Sequence, residues 1–506
     1  MNWRVKTGLV MAAGLTAVLR FHALFANTFH ADEALFATWA RYIATWRDPL
    51  LLTQAVDKPP LLFYLQALFY LYPVFGPSEI AARLPNFIAS ILLVPLVGVW
   101  AWRLYGDGVT AVLAALLLAL SPFAIQFSAT AFTDPLMVFW LVAAMANVDF
   151  GFRISDFGVA TDRQPSATGH QPPAGNRPLR AGLFMGLAAA TKYQAWLFLP
   201  LIVGLAWLQG WGRRDWARFG LGLLPVLALL LAWDAARGGG LSLWSAQMGN
   251  FGGVRLIWSW ELWPRLVGWL AMWRRLFVSP VWLLVIAVAL TRPFLPQKFT
   301  IHHSPFTIHH SQFLSLFIAA YFLLHWFLAV PIWDRYLLPL LPLIALLVAR
   351  LLAEIVNGQW SIVNGQRRRF IVICSLLLVS LLLPAWGGRN GRYPIGGQPQ
   401  ADGGAAQIAA LLYDAPYGTV LYDHWYSWHW DYHLFWRRVF VNWVPYPAAL
   451  AEDLHVFGDD GSPRYLVLPL DEPALPFRRA VAAAGFRLEP VAAPEATEMQ
   501  LYRIER

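Results

Sequence analysis

Asp32 and Glu33 stand side by side in FHADEALFATWARY, residues 29–42, just past the first long apolar segment. Further ionisable residues follow at the edges of other apolar runs: Asp57 and Lys58 in VDKPP, Arg83 in ARLPNF, Asp134 in FTDPLM, Lys192 in ATKYQ, and Asp334 and Arg335 in WDRYLL. A carboxylate within hydrogen-bond reach of a hydroxyl can take its proton as it attacks. Lys, Arg or a metal ion can hold the negative charge that grows on a departing phosphate. Acids and bases gathered in this way suit the transfer of a sugar from a lipid phosphate. The acceptor hydroxyl attacks the anomeric carbon and the lipid phosphate leaves.

The elements that must position these groups are apolar. The 506 residues are 58% hydrophobic and 13% charged, against about 25% charged in soluble domains. Runs such as TAVLAALLLALSPFAIQF hold no charge, and about 20 apolar residues span a bilayer as a helix. The chain reads as a polytopic α-helical membrane protein. Ionisable groups at membrane depth cost about 2.5–3.5 kcal/mol each on insertion scales. Nine of them gathered on one side therefore imply a wet cavity open to that side.

The net charge of +9 fits basic residues in cytoplasmic loops, so no nucleic-acid partner is expected. The one cysteine, Cys374, excludes an internal disulfide and a Cys-based zinc site. The N-terminal MNWRVKTGLVMAAG reads as a retained first span rather than a cleaved signal.

Spans are expected near residues 7–26, 84–103, 109–127, 131–150, 181–191, 194–210, 219–236, 276–291, 312–331, 336–354 and 370–386. Arg4 and Lys6 place the N-terminus inside. Further inside loops are marked by Arg153, Arg163, Arg177 and Arg180, by Arg213, Arg214 and Arg218, by Arg292 and Lys298, and by Arg367 to Arg369. The apolar stretch 181–210 has both flanks inside, yet makes only about 45 Å of helix. Two short half-buried helices turning at ATKYQ satisfy that, with Lys192 at the outer side. About eleven crossings leave the C-terminus outside.

In the first outer loop, Leu35, Phe36, Trp39, Ile43 and Trp46 repeat at helical spacing, as in an interfacial helix. KPPLLFYLQALFYLYPVFG reads as a second one. Trp244, Trp258, Trp260, Trp263 and Trp273 fit an aromatic belt. Two domains follow: a membrane-embedded part over 1–386, and a small α/β domain over 387–506 outside the membrane. In the latter, GTVLYDHWYSW and PRYLVLPLDEP look like strand-then-turn units, and PFRRAVAAAGF like a helix ending at Gly485.

Each candidate has a plainer reading. Asp32 is also suited to cap a helix, with Glu33 in its first turn. Lys58 and Arg83 are long enough to snorkel to the interface. Asp134 before Pro135 can open a helix. Asp334 and Arg335 can form a local surface pair. In YDHWYSWHWDYH, residues 422–433, Asp423, His424, His429, Asp431 and His433 have zinc-like spacing, but the histidines also fit a surface shared with Trp, and the aromatics suit stacking on a sugar or packing on the membrane domain. The tandem repeats FTIHHSP/FTIHHSQ and IVNGQWS/IVNGQRR fall in inside loops and read as tolerated duplications. RGGGLSL and QMGNFGG lack the context and the Lys of a P-loop, so a nucleotide-sugar donor is not expected.

The segments LRFHALFANTFHADEALFATWARY, VDKPPLLFYLQALF, SEIAARLPNFI, FTDPLMVFWL, AAATKYQAW and WDRYLLPLLPLIALL together resemble GT-C type membrane glycosyltransferases. Their nearest likeness is to bacterial relatives of protein O-mannosyltransferases and of the lipid A aminoarabinose transferase. The resemblance covers about residues 1–350 in matching order. It implies an inverting transfer from a polyprenyl-phosphate sugar at the outer face. Asp32 matches the first acid of the family's Asp-Glu pair, the catalytic base, and Glu33 would orient the site. Asp134 matches the Asp of an Asp-Pro motif, a second catalytic acid near the acceptor. Lys58 matches a Lys-Pro motif that binds the donor phosphate. Arg335 and Tyr336 match a late motif near that phosphate, and Lys192 is assigned there too. Asp57 stands where the aminoarabinose transferases carry Glu, a candidate metal ligand and the one pointer to a divalent cofactor. The acceptor is left open.

Two rival classes exist. A secondary transporter or flippase of lipid-linked sugars would show inverted repeats and midplane site residues; no such repeat is seen, and the charges gather at one face. A non-catalytic scaffold leaves the buried charges without a purpose.

Overall fold

Asn2 opens the first helix by accepting the Val5 amide at 3.0 Å, and α1 then runs over Trp3–Ala23. The computed structural model describes residues 1–71, 75–148, 175–238, 242–249, 255–295, 310–357, 366–397, 401–425, 427–491 and 497–506. After α1 come α2 (Ala31–Ala44), α3 (Leu61–Tyr70), α4 (Glu79–Tyr105), α5 (Gly108–Leu120), α6 (Pro122–Ser128), α7 (Thr133–Asn147) and α8 (Arg177–Ala189). Ser78 caps α4 through the Ala81 amide at 3.1 Å. The α4 helix ends on Gly106, whose φ of 65° needs no Cβ. Pro122 cannot continue α5, so α6 leaves it at 61°.

A helix stands at each of the eleven expected positions, and the chain is a multi-pass membrane protein. By length and composition, four described helices can cross a membrane: Glu79–Tyr105, Arg213–Ala236, Asp334–Val356 and Ile371–Arg389. Two bent pairs would raise the number to six. The shortfall from eleven has a physical cause. Several segments are broken by Pro or by a polar turn. One such turn is Thr191–Lys192, between α8 and the 3-10 turn Tyr193–Phe198, which leads into helix Leu199–Leu208. The two His-containing and Asn-Gly repeats lie largely outside the described residues, as do Arg153, Arg163 and Lys298.

One large apolar core joins α1, α2, α4, α5, α7, α8 and helix Leu341–Val356. α8 also lies backbone to backbone on helix Arg213–Ala236. A methyl group on Gly182 would meet the Phe219 carbonyl oxygen at 1.9 Å, and one on Gly222 would meet that of Leu179 at 2.0 Å. Small residues of this kind let membrane helices approach closely.

Five strands make a separate sheet in the order β2-β1-β3-β5-β4. They are β1 (Thr419–Asp423), β2 (Val439–Trp443), β3 (Arg464–Pro469), β4 (Arg487–Pro490) and β5 (Met499–Glu505). β1 pairs in parallel with β2 and β3, and β5 runs antiparallel to β3 and β4. Helix Ala474–Ala483 ends just before Gly485, which takes φ 86°. The helical part reaches beyond residue 387. Gly388 packs on Pro122, Gln126 Nε2 donates to the Tyr393 carbonyl at 2.8 Å, and Arg275 donates to that of Pro394 at 2.6 Å.

Candidate active site

The cap of α2 decides what Asp32 is free to do. His30, not Asp32, is the N-cap: its Nδ1 accepts the Asp32 amide at 3.1 Å, and Glu33 Oε2 returns a bond from the His30 amide at 2.9 Å. This reciprocal box satisfies the helix start. Asp32 therefore spends nothing on capping, and its Oδ2 accepts Arg335 Nη1 at 2.7 Å. Burial works to raise the Asp32 pKa, but Arg335, with help from His30 and Lys58, outweighs it and holds the carboxyl below its ordinary value. Asp32 thus favours its ionised form.

Two more acid–base pairs stand near it. Lys192 Nζ donates to Asp134 Oδ1 at 2.6 Å, both side chains buried. Lys58 donates to its neighbour Asp57, and Gln247 Oε1 lies 3.4 Å from the same ammonium. Asp32, Asp57, Lys58, Lys192, Arg335 and Tyr336 line one cavity of about 540 Å³. The Tyr336 ring lies 5.4 Å from Lys192 Nζ, which suits a cation over an aromatic face. A second cavity of about 310 Å³ is lined by His30, Phe132, Arg275, Asp334 and the 394–397 segment, and shares Asp32, Trp333 and Arg335 with the first. Asp32 and Arg335 thus stand on the walls of both. Arg335 is held over the Trp333 ring at 4.0 Å.

Two acids assigned to catalysis from the sequence are not among the lining residues. Glu33 is 2% exposed. It accepts Arg83 Nε at 3.2 Å and the Ala131 amide at 2.6 Å. Asp134 is buried, joined to the cavity through Lys192, and its Oδ2 has no protein partner. Both lie behind the cavity walls rather than on their surface. Arg83 does not snorkel: it is 1% exposed and also donates to the carbonyls of Leu24, Asn27 and Thr28. Asp334 and Arg335 do not pair with each other; Asp334 takes the Gly396 amide at 3.2 Å and lies 3.4 Å from Arg275.

Sequence reasoning missed Asn86, which donates to the Thr130 and Phe132 carbonyls at 2.7 and 2.6 Å and so shapes the turn before Asp134. Its spacing of three from Arg83 on α4 was the available signal. It also missed Gln247 and Trp333, lining residues of the larger cavity; Trp428, from the aromatic segment expected to meet a sugar or the membrane domain, lines it too.

Among the described residues no three of His, Cys, Asp and Glu gather to hold an ion. Asp57 is engaged by Lys58, a cation where a metal would have to sit, so these residues do not fit a metal centre. In the His-rich segment, His424 bonds to the Val444 carbonyl at 2.7 Å, His429 to that of Phe29 at 3.0 Å, and Asp423 accepts the Trp430 indole at 2.8 Å. Of these three, His429 reaches the helical part, just before the cap of α2, while His424 and Asp423 bond within the sheet domain.

A family model described as dolichyl-phosphate-mannose-protein mannosyltransferase matches residues 57–150. Two curated relatives are both named undecaprenyl phosphate-alpha-4-amino-4-deoxy-L-arabinose arabinosyl transferase. That of Enterobacter sp. (strain 638) is 24% identical over 234 residues, 45% of this chain and 39% of the relative. That of Pseudomonas aeruginosa is 31% identical over 182 residues, 35% of this chain and 29% of the relative. The chain matches less than half the length of either. The solved structure of ArnT from Cupriavidus metallidurans in the apo state covers 98% of this chain and 97% of its own, with a TM-score of 0.63 and 15% identity. The chain is similar to these transferases over part of its sequence and to ArnT in its fold. The same ArnT has been solved bound to undecaprenyl phosphate, with a TM-score of 0.61 and 16% identity; at this identity the likeness is one of fold. The stretch matched to the mannosyltransferase model holds four residues of the candidate site and its support: Asp57, Lys58, Arg83 and Asp134.

Proposed function

We propose that this protein transfers a sugar, with inversion, from a polyprenyl-phosphate donor to a hydroxyl-bearing acceptor at the outer face of the membrane, with the N-terminus inside and the sheet domain outside. The observation that carries the proposal is the convergence of an ionised Asp32 with Lys58, Lys192 and Arg335 on one cavity. The relatives named for undecaprenyl-phosphate chemistry support the donor class.

In the proposed step the donor phosphate lies against Lys58 and Lys192, and the acceptor hydroxyl comes from the smaller cavity to Asp32. The hydroxyl oxygen forms its bond to the anomeric carbon as the bond from that carbon to the phosphate oxygen breaks. The hydroxyl proton goes to Asp32, and the electron pair leaves on the phosphate. Each of these cations is paired with an acid, Lys58 with Asp57, Lys192 with Asp134 and Arg335 with Asp32. A phosphate that draws on Arg335 loosens its hold on Asp32 and makes that carboxylate a better base. Asp134 acts as a positioning residue that sets Lys192, and Glu33 as one that sets the α2 start.

The test uses purified protein and a panel of labelled undecaprenyl-phosphate sugars, with mass analysis of the products. Asp32→Asn is expected to lower turnover by about 10²–10⁴-fold with donor binding near wild type. Full turnover in that variant removes Asp32 from the mechanism, and no transfer from any donor by the wild type overturns the function.

A further inference from the structure

The sheet domain reaches the larger cavity with a single lining side chain among the described residues, Trp428. It lies on the short helix Ser427–His433 and is 44% exposed. Its seat is fixed from both sides. Trp430 donates its indole to Asp423 at the end of β1. One turn after Trp428, the Tyr432 ring meets Phe29 edge-on at 5.0 Å and lies under the Arg41 guanidinium at 4.5 Å. A large aromatic face is thereby held on the wall of a wet, charged cavity rather than packed away.

The other walls state what fits there. Lys58 and Lys192 suit a phosphate. Leu35 and Phe36 of α2 add apolar surface. Gln194 lines the same space, and its Oε1 is buried with no protein partner, an acceptor that awaits a hydroxyl or amino group. A sugar ring has both features: C–H faces that stack on an aromatic ring and polar groups at its edge.

We propose that Trp428 stacks on the sugar ring of the lipid-phosphate donor, so that the sheet domain is a working part of the donor site. The inference rests on the proposed function. It assigns Trp428 as a specificity residue that reads the sugar, separate from the cations that read the phosphate.

The experiment compares two ligands on the full-length protein: plain undecaprenyl phosphate, and the undecaprenyl-phosphate sugar that the wild type turns over best in the panel. Trp428→Ala is expected to raise KM for the sugar donor about 5- to 10-fold, to change kcat less, and to leave the affinity for undecaprenyl phosphate as it was. Trp428→Phe is expected to restore most of the loss. Trp425→Ala removes an exposed indole bonded to Glu472 at 2.9 Å and outside both cavities; it is expected to match the wild type. An unchanged KM in Trp428→Ala, or an equal loss of affinity for both ligands, overturns the stacking role while the transferase reading stands. Absence of transfer by the wild type overturns both.

Discussion

His30 does the work of an N-cap that Asp32 would otherwise share, and this frees the acid for Arg335. The pairing has a consequence in pH. Arg335 favours the ionised Asp32, while burial favours the neutral form. Removing the guanidinium leaves burial unopposed, so the Asp32 pKa rises. In Arg335→Ala the acid limb of the kcat/KM profile is therefore expected to move to higher pH, in addition to any loss in rate. An acid limb that stays in place would mean that Arg335 does not set the ionisation of the base.

At the scale of elements, the site depends on one buried junction. Glu33 joins the start of α2 to Ala131, Arg83 of α4 joins Glu33 to the carbonyls after α1, and Asn86 holds the turn before α7. Breaking a buried pair by removing one partner costs about 3–5 kcal/mol, because the other charge is left unpaired. Arg83→Ala is expected to lower stability by that order in thermal unfolding, and to reduce activity by moving the helices that carry Asp32 and Asp134. The sequence made part of this junction legible. Ionisable residues in apolar surroundings marked Asp32, Lys58, Lys192 and Arg335 because charge is costly there wherever the chain folds. Glu33 and Asp134 carried the same mark, yet they lie behind the walls. Cost alone does not tell a lining charge from a buried support. Asn86 and Gln247 are neutral, and their partners lie 44 or more residues away, so no local pattern announced them. Helix positions were readable from apolar runs, and the turn at ATKYQ from its basic flanks, whereas the bend at Pro122 falls inside what reads as a single span, 109–127.

At the scale of the molecule, the sheet domain is fastened to α2. Arg41 donates to the Tyr432 carbonyl and covers the Tyr432 and Phe435 rings, and Arg47 lies over Phe435 and Trp436. The helix that carries Asp32 near its start thus carries the sheet domain at its last turn, with Arg47 just beyond it. Arg41→Ala is expected to raise hydrogen exchange across residues 427–436 while leaving α4 protected. Equal exchange in Arg41→Ala and the wild type would place the fastening elsewhere.

The glycines that press α8 onto helix Arg213–Ala236 set a distance as well as a contact. Lys192 follows directly from α8 and meets Asp134 on α7, so its reach depends on how deeply α8 is seated. One extra carbon at position 222 acts as a shim some three turns from the ammonium. Gly222→Ala is expected to weaken donor capture without altering any group the donor touches, and a compensating shortening at a neighbouring contact should bring it back.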